Sequence, residues 1–323
     1  MLKNPLILGC GALNWDIFFE VEDLERFSFE GIRFSPGEEY VLERKNFLEL
    51  YVKLKREAGF LAECGGGSSA NTIFALASWG FRCAFIGAVG GDSFGERILQ
   101  EWKALSVDTS CVSRGGETSL ALILLDRKRD RAIVVSPGSA ETHLSLENLK
   151  ASCLKGELLH LSSFASKEGV AFQRDLLLNF LGGVSLDPGE IYARRGKDFL
   201  EPFLRGVKFL FLTERELKLA GLSKEEFLKE GKRIIFIKMG KEGAMALMRR
   251  LTIRSSVYPA KLMVDNTGAG DYFNAGVIAG LLQKLSVESS LELGLYSASL
   301  SLRDYGRKGV LTREEFKKFL SRL

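Results

Sequence analysis

The stretch Asp265-Asn266-Thr267-Gly268-Ala269-Gly270-Asp271 holds the residue types needed to bind an anion and to move a proton beside it. Gly268 and Gly270 lack a Cβ, so backbone N–H groups around them can approach a phosphate closely. Behind them Phe273, Val277, Leu281 and Leu285 recur at every fourth residue, which predicts a helix over Tyr272 to Leu285. A helix N-terminus adds unpaired N–H donors and partial positive charge, completing an anion hole of phosphate size. Asp271 falls in the first turn, where a carboxylate can accept the proton of a hydroxyl attacking that phosphate. The same residues also suit a plainer role, in which the glycines make a turn and Asp271 caps the helix.

A second cluster, Gly65-Gly66-Gly67-Ser68-Ser69-Ala70-Asn71, is followed by Gly87-Ala88-Val89-Gly90-Gly91-Asp92-Ser93-Phe94-Gly95 after the next strand. Both are expected at strand-to-helix ends, where α/β sheets bind ligands. Backbone approach at Gly66 and Gly67, with the Asn71 amide just inside a helix, suits a polyhydroxy ligand; a turn and an N-capped helix is the alternative. Other chemistries are excluded. The chain has no Gly-x-x-x-x-Gly-Lys-Ser/Thr, and Gly9-Cys10-Gly11 meets Asn14 where a dinucleotide fingerprint needs its third glycine. The two histidines, His143 and His160, have no partner at metal-ligand spacing, and His160 reads as a satisfied strand-end residue.

The elements that must position these residues follow from periodicity. Helices are expected at Ala70 to Trp79 and along the face Phe94, Ile98, Trp102 and Leu105, with strands at Cys83 to Gly87, Leu158 to Leu161, Val184 to Asp187, Val207 to Leu212 and Ile234 to Lys238. That alternation predicts a mostly parallel sheet covered by helices on both faces. Trp15, Ile17, Phe19 and Val21 alternate with more polar neighbours, and Ser119–Leu125 and Ala132–Ser136 flank the charged turn 126–131 as a hairpin would. These predict a small β appendage, with a surface-packed helix from Arg44 to Ala58.

The 323 residues carry 45 Lys and Arg against 41 Asp and Glu, a net charge of +4 with both signs scattered, so no basic stripe for nucleic acid is expected. No apolar run reaches the length of a membrane span, and no targeting segment is read at the N-terminus. The five cysteines lie far apart with no Cys-x-x-Cys pair; the odd count argues against a disulfide framework and for a reducing cytoplasm.

Together these residues resemble the ribokinase-like, or PfkB, family of sugar and nucleoside kinases, over nearly the whole chain. Gly66 to Gly95 is similar to the family's first signature and Asp265 to Leu282 to its second; Asn14-Trp15-Asp16, Ile237 to Gly243 and Arg307-Lys308-Gly309 resemble further parts of its sites. The resemblance implies a three-layer α/β/α sandwich spanning residues 1–323 as one kinase domain, with a β lid from segments near 12–22, 32–43 and 116–136. It implies ATP-dependent phosphorylation of a hydroxyl on a sugar or nucleoside, with Asp271 as base and Gly268, Ala269 and Gly270 as the anion hole. Asn14, Asp16, Gly66, Gly67 and Asn71 would hold the acceptor, and Thr213, Glu216, Lys238, Gly240 and Gly243 the nucleotide. Glu216 would reach Mg²⁺ through water, and Asp265 and Thr267 would hold a monovalent cation such as K⁺. Where the family shows Asn-x-x-Glu, this chain has Thr213-Glu214-Arg215-Glu216, and Lys238 stands at a usual threonine, where it is expected to point to solvent. Phe18, Phe19 and Phe34 are candidates for the lid's apolar inner face, its core, or a contact between two copies. The early layout resembles the adenosine-kinase-like branch. A catalytically silent sugar- or nucleoside-binding relative is the alternative, disfavoured because Asp271 and the Gly268-Ala269-Gly270 turn are intact.

Overall fold

Short runs of β-branched and leucine residues, each followed by a helical stretch, fold into a nine-stranded sheet. The computed structural model describes residues 6–224, 233–260 and 262–323. The strand order is Leu251–Ser255, Ala244–Met248, Ile234–Lys238, Val207–Thr213, Leu181–Asp187, Lys155–Ser162, Leu6–Cys10, Arg82–Val89, Asp108–Arg114. Every pairing from Ile234–Lys238 onward in that order is parallel; Ala244–Met248 is antiparallel to both its neighbours. Parallel strands need crossovers, and the helices that supply them cover both faces. One face packs Ile73, Phe85, Phe211, Phe236, Phe273 and Leu291, and the other Leu8, Leu161, Leu186, Phe203, Leu210 and Ile237. The expected α/β/α layering is therefore present, and each of the five expected strands lies within an observed one.

A separate five-stranded sheet has the order Glu39–Val41, Arg131–Ser136, Ser119–Leu125, Asn14–Glu20, Gly59–Gly66. The hairpin across residues 126–131 forms with Leu125 opposite Arg131. Gly59–Gly66 is a full strand antiparallel to Asn14–Glu20, and it leads into the glycine cluster that was expected at a strand-to-helix end. Side chains alternate across this sheet. Phe18 faces Ala62, Cys64, Ile123 and Val135, whereas Phe19 lies on the opposite face with Ile17, Phe47 and Leu50. Phe34 packs with Phe27 and Tyr40 in that same outer cluster. Of the three phenylalanines only Phe18 belongs to the inner face. The outer face is covered by the helix Arg44–Glu57 through Phe47, Leu50 and Leu54, leaving Leu48 and Val52 exposed on its far side.

The cysteine expectation needs correction. Cys111, on the sheet-edge strand Asp108–Arg114, and Cys153, in the 3₁₀ turn Ala151–Leu154, are joined by a disulfide 42 residues apart in sequence. Spacing along the chain carried no sign of it, because tertiary folding alone brings the two together. Cys10, Cys64 and Cys83 are free and buried. Among the described residues no helix is long and apolar enough to cross a membrane.

Candidate active site

The C-terminal ends of the large sheet's strands and the inner face of the small sheet enclose one cavity of about 580 Å³. Asp271, at the mouth of the helix Ala269–Leu282, is held there by side chains from the helix Ser68–Ser78. Ser68 Oγ donates to one carboxyl oxygen at 2.7 Å and Asn71 Nδ2 to the other at 2.9 Å. Burial pushes the Asp271 pKa up to about 7, with Asp187 adding in the same direction against the bonds from Asn71 and Ser68. A carboxyl with its midpoint near neutrality can both take and hold a proton.

The glycine turn is built for close approach. Gly268 is the helix N-cap at φ 77°, a left-handed conformation that a side chain would strain. Gly270 is not in that region; its missing Cβ instead leaves room beside Lys238, whose Nζ would lie 3.3 Å from one. Lys238 was expected to face solvent and does not. Its ammonium donates to Asp187 Oδ2 at 2.6 Å, and Asn274 Nδ2 donates to the same oxygen at 2.6 Å. Burial alone would lower the Lys238 pKa, but the Asp187 and Glu216 carboxylates outweigh it and hold the amine charged. Lysine turns inward here because the strand's register with Val207–Thr213 carries it to the cavity beside these acids.

At the other end, Asn14 and Asp16 sit two apart on the strand Asn14–Glu20 and so share the inner face. Asn14 Oδ1 and Asp16 Oδ1 are buried with no hydrogen-bond partner among the described residues, and both residues line the cavity. Burial pushes Asp16 up to about 7, opposed by Arg307 and reinforced by Asp271. Gly67, at φ 99°, lines the cavity, and a Cβ there would meet the Ala12 carbonyl. Gly66 was expected to meet the ligand but does not line the cavity; a Cβ on it would overlap the Asp16 carboxyl, so its smallness makes room for that group. Asn71 is turned to Asp271 on one side, while its Oδ1 accepts from Arg307 Nε at 3.1 Å.

Thr213, Glu216, Gly240 and Gly243 line the same cavity. Thr213 and Glu216 form a capping box on the helix Glu214–Leu219: Glu216 N–H donates to Thr213 Oγ1 at 3.1 Å and Thr213 N–H to Glu216 Oε2 at 2.7 Å. The threonine that replaces the family's asparagine thus spends its hydroxyl on the backbone. Gly240 and Gly243 have φ of 57° and 94° and close a tight turn, the Gly243 N–H donating to Gly240 O at 3.1 Å. Asp265 accepts from the backbone N–H of Thr267 at 2.8 Å and of Gly306 at 2.9 Å, and Thr267 Oγ1 is buried without a partner among the described residues. His160 lies outside the cavity, its Nδ1 2.9 Å from Ser185 Oγ.

Residues to which the sequence assigned no such role complete the arrangement. Arg307 is buried and also reaches Glu101 Oε2 at 2.6 Å and Gly66 O at 3.4 Å, so a Glu101–Arg307–Asn71 chain orients the amide that holds Asp271. Arg131, one of four basic residues in the hairpin turn region, enters the cavity and donates to Asn266 Oδ1 at 2.6 Å. Arg127 and Arg129 pair instead with Glu22 and Glu20 at the outside. Glu38 on the small sheet's edge pairs with Arg215 at 2.7 Å and with Arg194 at 3.5 Å, tying that sheet to the body. Only the fold distinguishes these from ordinary solvated charges.

A mostly parallel sheet between helical layers, with a small second sheet over a glycine turn and a carboxylate at a helix N-terminus, is the ribokinase-like architecture. The chain belongs to the pfkB family of carbohydrate kinases, whose model matches residues 45–312. It is 32% identical over 249 residues to an uncharacterized sugar kinase of Archaeoglobus fulgidus, covering 74% of this chain and 98% of that one. It is 28% identical over 324 residues to the ATP-dependent ribose-1-phosphate kinase of Halopiger xanaduensis, covering 98% of each. The crystal structure of adenosine kinase from Sinorhizobium meliloti superposes with a TM-score of 0.83 at 20% identity, covering 99% of this chain and 100% of that one, a likeness of fold. These relatives support kinase activity in general.

Proposed function

We propose that the chain transfers the terminal phosphoryl group of ATP to a hydroxyl of a sugar or nucleoside. The observation in favour is Asp271, desolvated and held by Ser68 and Asn71 at the mouth of a helix, in one cavity with the unpartnered oxygens of Asn14 and Asp16. The acceptor hydroxyl loses its proton to Asp271 as it attacks in line. Backbone N–H groups of the Gly268-Ala269-Gly270 turn and the Lys238 ammonium meet the charge on the phosphoryl oxygens. Asp16 and Asn14 hold neighbouring acceptor hydroxyls, and Asn71 keeps Asp271 aimed rather than binding the acceptor alone. Gly240 and Gly243 line the nucleotide's pocket.

Mg²⁺ normally binds through one or two carboxylates plus substrate phosphates and water. Asp187 and Glu216, two cavity carboxylates beside Lys238, fit that donor set, whereas no group of three acidic, His or Cys ligands exists among the described residues. When bound, the ion would neutralise charge between the nucleotide's phosphates. Asp265 and Thr267 would hold K⁺, the orphaned Thr267 hydroxyl being the observation in its favour.

The whole chain acts as one kinase domain in which the small sheet serves as a lid that excludes water from the transfer. The Glu38–Arg215 pair and the Arg131–Asn266 bond would fasten it when closed. A homodimer through the lid would form over the helix Arg44–Glu57, since that helix covers the sheet's outer face. The setting is cytoplasmic, where ATP is supplied, and the Cys111–Cys153 disulfide departs from the reducing environment expected there. A nucleotide-turnover assay against a panel of nucleosides and sugars tests the reading: ADP release that depends on one such acceptor is expected, and release that no acceptor stimulates would refute it.

A further inference from the structure

If the chain is a kinase of the kind proposed above, the acceptor half of its cavity restricts what it phosphorylates. Strand register spreads the wall out in a defined order. Asp16 lies opposite Ala121, Ala121 opposite Val135, and Ile123 opposite Ile133, all on the inner face of the small sheet and all lining the cavity. Ile191, from the helix Gly189–Ala193, packs against the same cluster from the body side. Polar groups at Asn14 and Asp16 therefore give way to a strip of aliphatic carbon two strands wide. With strands about 4.8 Å apart, that strip extends roughly 10 Å beyond Asp16.

A free pentose or hexose carries a hydroxyl on almost every carbon, and those turned toward Ile123, Ile133 and Ile191 would lose water and gain no partner. A sugar phosphate meets a second obstacle. Among the described residues lining the cavity, the cations are Arg131, Lys238 and Lys241. Arg131 is turned to Asn266 beside the glycine turn, Lys238 is paired with Asp187, and Lys241 sits in the Gly240–Glu242 turn. The small-sheet side carries Arg131, two residues from Ile133 on the same strand face, together with the carboxyls of Asp16 and Glu39, with Glu141 behind them bonded to Ser119 and Ser166. Among the described residues Arg131 is the one cation lining that side and its guanidinium is bonded to Asn266, while burial pushes Asp16 and Glu39 up to about 7, so an anionic substituent placed there would meet like charge wherever those carboxyls are ionised.

We propose that the acceptor is a neutral ribonucleoside: its ribose diol bonds to Asn14 and Asp16, and the apolar faces of its base lie along Ala121, Ile123, Ile133 and Val135. A flat ring has low-polarity faces and carries its polar atoms at the edge, which suits an aliphatic wall that a sugar does not.

Two readouts separate this proposal from the kinase reading on which it rests. Calorimetry on the full chain, titrated with adenosine, inosine, guanosine, cytidine, uridine, ribose and ribose 1-phosphate, measures binding without turnover. One nucleoside should bind about a hundredfold more tightly than ribose or ribose 1-phosphate, from the base area removed from water. A coupled assay with ATP and Mg²⁺ should rank kcat/KM in the same order. Tight nucleoside binding without phosphorylation would refute the kinase reading and leave the acceptor pocket as proposed. Phosphorylation or tighter binding of ribose or ribose 1-phosphate would overturn the nucleoside proposal and leave the kinase standing, and so would failure of every nucleoside to bind. The Ile133→Ser variant adds a control: KM should rise about tenfold for the nucleoside and stay unchanged for ribose. Equal losses for both would also overturn the placement of the base.

Discussion

Replacing Asp271 with asparagine removes a proton acceptor while keeping the side chain's shape. Ser68 Oγ now donates to Asp271 Oδ1 at 2.7 Å, and Asn71 Nδ2 to Oδ2 at 2.9 Å. The new amide keeps its oxygen toward Asn71 and offers its NH₂ to the Ser68 hydroxyl, which accepts as readily as it donates. Both bonds survive, so folding and ligand affinity should too. Loss of general-base catalysis is worth about 10²-fold to 10⁴-fold, and 10²-fold corresponds to about 2.7 kcal/mol of barrier. The pH profile supplies a signature that damage to the fold would not. Burial pushes the Asp271 pKa to about 7, so the deprotonated fraction falls roughly tenfold between pH 8 and pH 6. Wild-type kcat at saturating acceptor should fall accordingly, while the variant's residual kcat should be flat over that range. Stability carries the opposite sign. A carboxyl whose pKa is raised on folding contributes stability below its unfolded value near 3.8, and that contribution is lost as pH rises through about 7. Thermal melts of Asp271→Asn should therefore lose less stability between pH 4 and pH 8 than the parent. Turnover within tenfold of wild type, or an unchanged acid limb in kcat, would refute the base assignment.

Asp16→Ala should raise the acceptor's KM at least tenfold with nucleotide affinity unchanged, because the carboxyl faces the acceptor end; calorimetry in which ATP loses affinity instead would overturn that placement. Gly270→Val should leave the fold intact, since Gly270 has no left-handed φ, yet lower turnover about 10²-fold by filling the space between the turn and Lys238; near wild-type turnover would remove the anion hole from this turn. Gly268→Ala, at φ 77°, should differ by lowering the melting temperature as well as the rate, and a variant as stable as the parent would contradict the left-handed turn. Breaking the Cys111–Cys153 disulfide with Cys153→Ser opens a 42-residue loop, worth about 4 kcal/mol by chain entropy; denaturation midpoints identical to the parent under oxidising conditions would show that the bond constrains nothing.

Local spacing carried much of this protein. The fourfold repeat Phe273, Val277, Leu281 behind Gly268 and Gly270 is enough to predict a helix with an anion-binding mouth, because helix periodicity and glycine's missing Cβ are properties of a few neighbouring residues. The same holds for the parallel strands, whose apolar runs mark burial on both faces, and for the pairing across the charged turn near Asp126. Periodicity gives Gly59–Gly66 no extent as a strand, because what makes it a strand is its partner, Asn14–Glu20. Lys238 looked like a solvated lysine until register placed it against Asp187, 51 residues away in sequence. Arg307 and Asn71, 236 residues apart, and Cys111 and Cys153 belong to the same class. What the sequence determined by itself is the helix behind the glycine turn, the five parallel strands and the hairpin across residues 126–131, all set by short-range geometry. Only the tertiary structure decided which charges are buried and paired, which glycine makes room for a side chain rather than a ligand, and which of four basic residues enters the cavity. Those outcomes depend on desolvation and on distances between segments that are far apart along the chain.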